Sequence, residues 1–125
     1  VRKVLIIDDD ASGTQLLATL LKLEGFEALP LEDWEDPVRD IERQQPDLVI
    51  MDVRLRGKNG FEILERARTH LNPDVAHTPV LMMSVDDHRV QSRQAGADGF
   101  IAKPFNLSAL MESIRKIEEG RISNR

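Results

Sequence analysis

The sequence predicts an α/β fold, a five-stranded parallel sheet with helices on both faces. Three observations carry this. Short apolar runs alternate along the whole chain with longer stretches of helical period, the pattern of repeated strand–helix units. The runs are continuously apolar, as strands covered on both faces require. Gly and Pro fall at the joins, where a helix must stop or a strand begin. At 125 residues the chain suits one domain with a single sizeable core.

The units follow in order. Residues 4–7 (VLII) form the first buried strand. Leu16, Leu17, Leu20, Leu21 and Leu23 line a helix that Gly25 can end with a left-handed cap. Residues 26–31 make a short second strand. Asp36 and Pro37 open the next helix as N-cap and first-turn proline, and Pro46 lies just past its end. Residues 48–51 are the third strand, and a helix runs from Gly60 to about Leu71. Residues 72–79 form a long connection before the fourth strand at 80–83. Asp86 or Asp87 can cap the helix that ends at Gly96, and residues 100–102 are the fifth strand. Leu107, Leu110, Met111, Ile114 and Ile117 form the stripe of a last helix.

Composition narrows the function. With 31% charged and 41% apolar residues, the chain is an ordinary globular one. No apolar run approaches the roughly 20 residues of a membrane span. Nothing at the start resembles a signal peptide, and Val1 in place of Met leaves the natural start open. The absence of cysteine excludes disulfides, thiolate catalysis and zinc–thiolate sites and accords with a cytoplasmic location. A net charge of −5 argues against direct nucleic-acid binding by this segment, though not against a DNA-binding domain beyond Arg125.

Active groups in open parallel sheets gather beyond the carboxyl ends of the strands. Here those ends offer Asp8 and Asp9, then Asp52, then Ser84, then Lys103. Taken singly, such an Asp is ordinarily a turn or cap residue, and a lone Lys a solvated charge. Together they place three carboxylates, a hydroxyl and an ammonium on one edge. The crowded acids need compensation, and an all-oxygen set favours Mg²⁺. A carboxylate facing such a cation can act as nucleophile in phosphoryl transfer, with Ser84 and Lys103 on the phosphoryl oxygens.

Across nearly its whole length the sequence resembles the receiver domain of two-component response regulators. VLIIDDD, LVIMDVRLRGKNG, PVLMMS and GADGFIAKPF stand in that family's order and spacing. The resemblance implies a flavodoxin-like sheet of order 2-1-3-4-5 with five helices, and a receiver domain over residues 1–119 with 120–125 as tail or linker. It implies Asp52 as phosphoacceptor, Asp9 as direct and Asp8 as water-mediated Mg²⁺ ligand, and the backbone carbonyl of Arg54 as a further ligand. Ser84 and Lys103 would hold the phosphoryl group, Phe100 would be the aromatic switch, and the Lys103–Pro104 peptide would be cis. The implied partners are a histidine kinase or phosphotransfer protein and an output domain or partner, within a phosphorelay. Dimerisation through the face of the fourth helix, fifth strand and fifth helix is expected to be weak or differently built, since Asp98 and Arg115 match pairing positions but Gly99 and Ser113 interrupt the set.

Several residues depart from the family pattern. Asp10 stands where Glu is frequent, Leu55 and Arg56 replace a Met-Pro turn, and Trp34 replaces a common glycine. Pro37 in place of a helix Ala implies a reshaped junction after the second strand. Trp34 is either packing over the second helix or a partner contact. Arg54 and Asp86, each two places beyond a site residue, either pair across the phosphate entrance or stay solvated. His70, His77 and His88 have no pairing spacing and read as surface residues. One rival class is an enzyme: Asp8-x-Asp10-x-Ser12 resembles the start of haloacid-dehalogenase-type phosphatases, but the acidic pair expected after the lysine is missing and Asp52 would have no role. Another is a receiver that serves only as a phosphate sink or a degenerate binding module.

Overall fold

A computed structural model of the chain describes residues 2–123. Strands β1 (Lys3–Ile7), β2 (Glu27–Pro30), β3 (Leu48–Asp52), β6 (Val80–Ser84) and β7 (Gly99–Ala102) form one sheet of order β2-β1-β3-β6-β7, all neighbours parallel. Counting only these five, the order is the expected 2-1-3-4-5. Between them lie helices α1 (Ala11–Leu23), α2 (Pro37–Gln44), α3 (Gly60–Arg68), α4 (Pro73–Ala76), α5 (Arg89–Gln94) and α6 (Leu107–Ser123). A small antiparallel pair, β4 (Arg54–Leu55) with β5 (Lys58–Asn59), precedes α3. No described helix is long and apolar enough to cross a membrane.

The sheet divides the core in two, because successive strand residues point to opposite faces. Leu5, Ile7, Val49, Met51 and Met82 face α2, α3 and α4, where they meet Val38, Ile41, Leu64 and Val75. Val4, Ile6, Ile50, Leu81 and Met83 face α1 and α6, where they meet Leu17, Leu21, Leu110 and Ile114. Every residue of β3 and β6 is buried, which explains their unbroken apolar runs.

Several boundaries differ from the sequence pattern. In α1 only Leu17 and Leu21 are fully buried, one i, i+4 row, while Leu16 and Leu23 are 62% and 74% exposed on its flanks. The helix expected to reach Leu71 stops at Arg68, and the long connection holds the one-turn α4, capped by Asn72 and anchored by buried Val75. The N-cap of α5 is His88, not Asp86 or Asp87, although the Asp87 carboxylate accepts the Arg89 N–H. Helix α6 continues past residue 119 to Ser123, so 120–123 are helical.

Two charged side chains, half-buried Arg68 and buried Asp40, hold the connections. The Arg68 guanidinium donates to the carbonyls of Gly96, Ala76 and Thr78 and to Asp98, whose carboxylate also accepts the Val80 N–H. It thereby ties α3 to the segments that enter β6 and β7. Asp40, fully buried on α2, accepts the N–H groups of Glu32 and Asp33 and pairs with Arg43 at 2.6 Å. At the junction after β2, Pro37 is the first residue of α2 with Asp36 as its cap, as expected, and Asp40 reaches back to organise the incoming loop.

Burial alone would push the Asp40 carboxyl up, but the Glu32 and Asp33 N–H groups and Arg43 together hold it below the usual carboxylate value. A depressed carboxyl contributes stability that is complete above its unfolded pKa and lost as pH falls through the folded one. Asp40→Ala is therefore expected to lower unfolding stability by about 2–4 kcal/mol at neutral pH, since two backbone donors lose their acceptor. Urea unfolding checks this, and the gap between wild type and variant should narrow below about pH 4.

Candidate functional site

The parallel register decides what meets at the carboxyl edge. Ile7 lies beside Met51, so the next residues, Asp8 and Asp52, stand level at the ends of adjacent strands. Asp52 lies beside Met83 and Ser84 beside Ala102, which puts Ser84 one step and Lys103 two steps further out. Asp8, Asp52 and Ser84 are all buried, at 6%, 9% and 1% exposure. The Lys103 N–H donates to the Ser84 carbonyl at 2.8 Å, and the Lys103–Pro104 peptide is cis, as expected.

Lys103 joins the two central acids. Its Nζ lies 2.5 Å from Asp52 Oδ2 and 3.2 Å from Asp8 Oδ2. Burial pulls the ammonium's pKa down, but the hydrogen bond and charge of Asp52, with those of Asp8, outweigh this and raise it above the usual lysine value. Lys103 is therefore a fixed positive charge at neutral pH. The other carboxylate oxygens are also engaged: Asp8 Oδ1 accepts the Asp10 N–H, and Asp52 Oδ1 accepts the Arg54 N–H, each at 3.0 Å.

The other expected residues lie around this centre without all touching it. Asp9 is exposed, and its Oδ2 accepts the Arg56 N–H at 2.5 Å, which turns it toward the β4–β5 hairpin. Arg54 meets Asp52 through its N–H. The Ser84 hydroxyl accepts the Asp86 N–H at 3.2 Å and so faces its own loop. Among the described residues, no group of three or more His, Cys, Asp or Glu stands close enough to hold a metal ion. The donor types still suit a hard divalent cation, because only carboxylates and a carbonyl are on offer and the one ammonium pairs with Asp8 and Asp52 but not with Asp9.

Arg54 and Asp86 do form a salt bridge, at 2.5 Å, across the outer side of the site. Both side chains are well exposed, at 72% and 50%, so the pair contributes little to stability. Phe100 is half-buried against the core face that also takes Phe61, and the Phe61 ring meets His88 edge-on at 5.8 Å. On the face expected to dimerise, Asp98 is bound to Arg68, and Arg115 pairs with Glu112 and Glu119. Both expected pairing charges are engaged within the chain.

Sequence reasoning missed two parts of this frame. The β4–β5 hairpin positions Arg56 for Asp9, with Gly57 at its tip at φ +72°. Gly60 does more than loosen the turn: a Cβ there would meet the Asp52 carbonyl oxygen at 2.3 Å, so only glycine lets α3 start against the end of β3. Its place directly after Asn59, the cap of α3, was the available signal.

Comparison with known proteins agrees with this architecture. Residues 4–115 match the family model of the response regulator receiver domain. The chain is 36% identical over 121 residues to the transcriptional regulatory protein CpxR of Escherichia coli, covering 94% of this chain and 49% of that protein. It is 30% identical over 120 residues to the phosphate regulon transcriptional regulatory protein PhoB of Pseudomonas aeruginosa, covering 93% and 51%. The chain thus spans about half the length of these curated relatives. Among solved structures, the Vibrio cholerae chemotaxis protein CheY4 superposes with a TM-score of 0.83 at 26% identity, covering 94% of this chain and 98% of that one. A CheY-like receiver domain protein from Methanospirillum hungatei gives 0.83 at 29% identity, covering 98% of each. With a family match over residues 4–115 and close superposition on solved receiver structures, this protein belongs to the response regulator receiver domains of two-component systems.

Proposed function

We propose that Asp52 accepts a phosphoryl group from a histidine kinase or phosphotransfer protein and that the change is relayed to an output domain or partner. The observation that carries this is Lys103 spanning Asp52 and Asp8 at the strand ends. An Asp52 carboxylate oxygen attacks the phosphorus, a P–O bond forms, and the bond to the donor's nitrogen or oxygen breaks in line. Lys103 moves from the carboxylates to an incoming phosphoryl oxygen, and Ser84 turns its hydroxyl from the Asp86 N–H toward another. Asp8, Asp9, Asp52 and the Arg54 carbonyl would hold Mg²⁺, which when bound supplies positive charge to the phosphoryl oxygens. The aspartyl phosphate is a mixed anhydride, so the signal is transient and the domain's chemistry is confined to its own modification. A phosphatase built on Asp8 and Asp10 fits less well, because it would leave Asp52, buried against Lys103, without a role. The relatives' names as transcriptional regulators support a gene-regulatory output.

Incubation with acetyl phosphate and Mg²⁺ should add one phosphoryl group by intact mass, and none to Asp52→Asn or to wild type in chelator. Asp9→Ala should weaken Mg²⁺ binding more than Asp8→Ala in a metal titration.

Arg54 and Asp86 follow the acceptor Asp52 and the hydroxyl-bearing Ser84 by two residues each and pair at 2.5 Å, so their bridge should slow water's approach to the phosphoryl group. Asp86→Ala is expected to speed loss of the phosphoryl group about 3–10-fold, equivalent to ~0.7–1.4 kcal/mol of barrier. High salt should do the same in wild type and little in the variant; phosphate release measures both.

Drawing Ser84 inward should free space for the half-exposed Phe100 ring, shifting pre-existing populations separated by a few kcal/mol. Beryllofluoride with Mg²⁺, as a phosphoryl mimic, should alter amide exchange across residues 85–105. Bound beryllofluoride with unchanged exchange there would indicate a phosphate sink instead.

A further inference from the structure

We propose that the groove between α1 and the β2–α2 loop docks a basic amphipathic helix of a protein partner, with Trp34 as its anchor. This does not rest on phosphorylation of Asp52. The groove has a volume of about 530 Å³, and its wall on α1 runs from Ala11 through Ala18 to Lys22. Twelve residues of helix span about 18 Å, enough for three turns of a partner helix lying alongside. Small side chains, Ala18 and Ala28, leave the floor open, so that a partner's apolar side chain fills space this chain does not occupy. One end of the groove is lined by Asp8 and Asp9, which makes it continuous with the acceptor site.

Trp34 stands at the rim, 38% exposed. Its loop is fixed on both sides. Asp40 accepts the N–H groups of Glu32 and Asp33, Asp33 Oδ1 accepts those of Glu35 and Asp36, and Lys58 Nζ donates to the Glu35 carbonyl. A large aromatic held on a rigid loop presents contact area with little ordering cost, the anatomy of an interface anchor. Charge selects the partner: Glu32 and Glu35 are exposed beside Trp34, and Asp9 is exposed at the groove's end. An Arg or Lys can stack on the indole while reaching these carboxylates. A strand is a poor occupant, because the neighbouring sheet edge, β2, ends in Pro30, which has no N–H to offer. A helix with an apolar side chain and basic residues one turn apart matches the groove, the indole and the acids together.

Trp34 is the only tryptophan and the chain has no tyrosine, so its emission reports directly on the site. The probe is a short alanine-based helical peptide carrying Leu and Arg at one-turn spacing. Controls are the same peptide with Glu for Arg, and one interrupted by Pro. The Arg peptide should change Trp34 emission saturably and shift amide resonances within residues 11–22 and 31–36. Glu32→Lys with Glu35→Lys, which leaves groove and indole intact, should weaken binding about tenfold. Trp34→Phe, followed by amide shifts and checked for fold by circular dichroism, should weaken it several-fold. The proposal is overturned if the Arg peptide leaves emission unchanged, if either control binds equally well, or if the shifts concentrate elsewhere. It is equally overturned if emission varies with protein concentration alone, which would make a second copy the occupant.

Discussion

The arrangement at the sheet's edge depends on one ammonium. Lys103 lies between Asp52 and Asp8, and without it two carboxylates at under a tenth exposure would face each other at the ends of adjacent strands. The same group that makes the acids tolerable in the resting fold is the one a phosphoryl oxygen would recruit. Under the proposed function, resting stability and reactivity would be two uses of one charge. The surrounding backbone serves to place it: the β6–β7 register and the Lys103 N–H to Ser84 bond set its root. Gly60 lets α3 close against β3 beneath it.

The fold was legible because its strands are buried on both sides. Unbroken apolar runs such as VLII and VLMM leave no other architecture for alternating helical stretches. The site residues were legible because strand ends are where a parallel sheet delivers side chains, and the five polar groups fall directly after apolar runs. What the sequence did not disclose lies in contacts between distant segments. Asp40 looks like one more charge on an exposed helix until it is seen accepting two N–H groups eight and seven residues upstream. Arg68 likewise reads as the basic last turn of a helix, the ordinary partner of a helix dipole. Its four acceptors come from two later connections, and no local pattern announces them.

The direction of individual side chains was equally hidden. Asp8 and Asp9 are adjacent and chemically identical, yet one is buried on Lys103 and the other is exposed on the Arg56 N–H. Which of two neighbouring acids turns inward is set by the twist of the chain leaving β1 and by a hairpin nearly fifty residues away, not by composition. The same holds for Leu16 and Leu17, of which only the second belongs to the core.

The engagement of Asp98 by Arg68, and of Arg115 by Glu112 and Glu119, has a consequence for how this molecule behaves among its own kind. Charges on a shared face act as an address that similar chains read from one another. Here both charges already have partners within the chain: Asp98, a quarter exposed, holds Arg68 and the Val80 N–H, while Arg115 pairs with Glu112 and Glu119 on the open surface. A similar chain would gain little by pairing with Asp98, because bonds already made must first be displaced, and that would discourage mispairing there without a repulsive group.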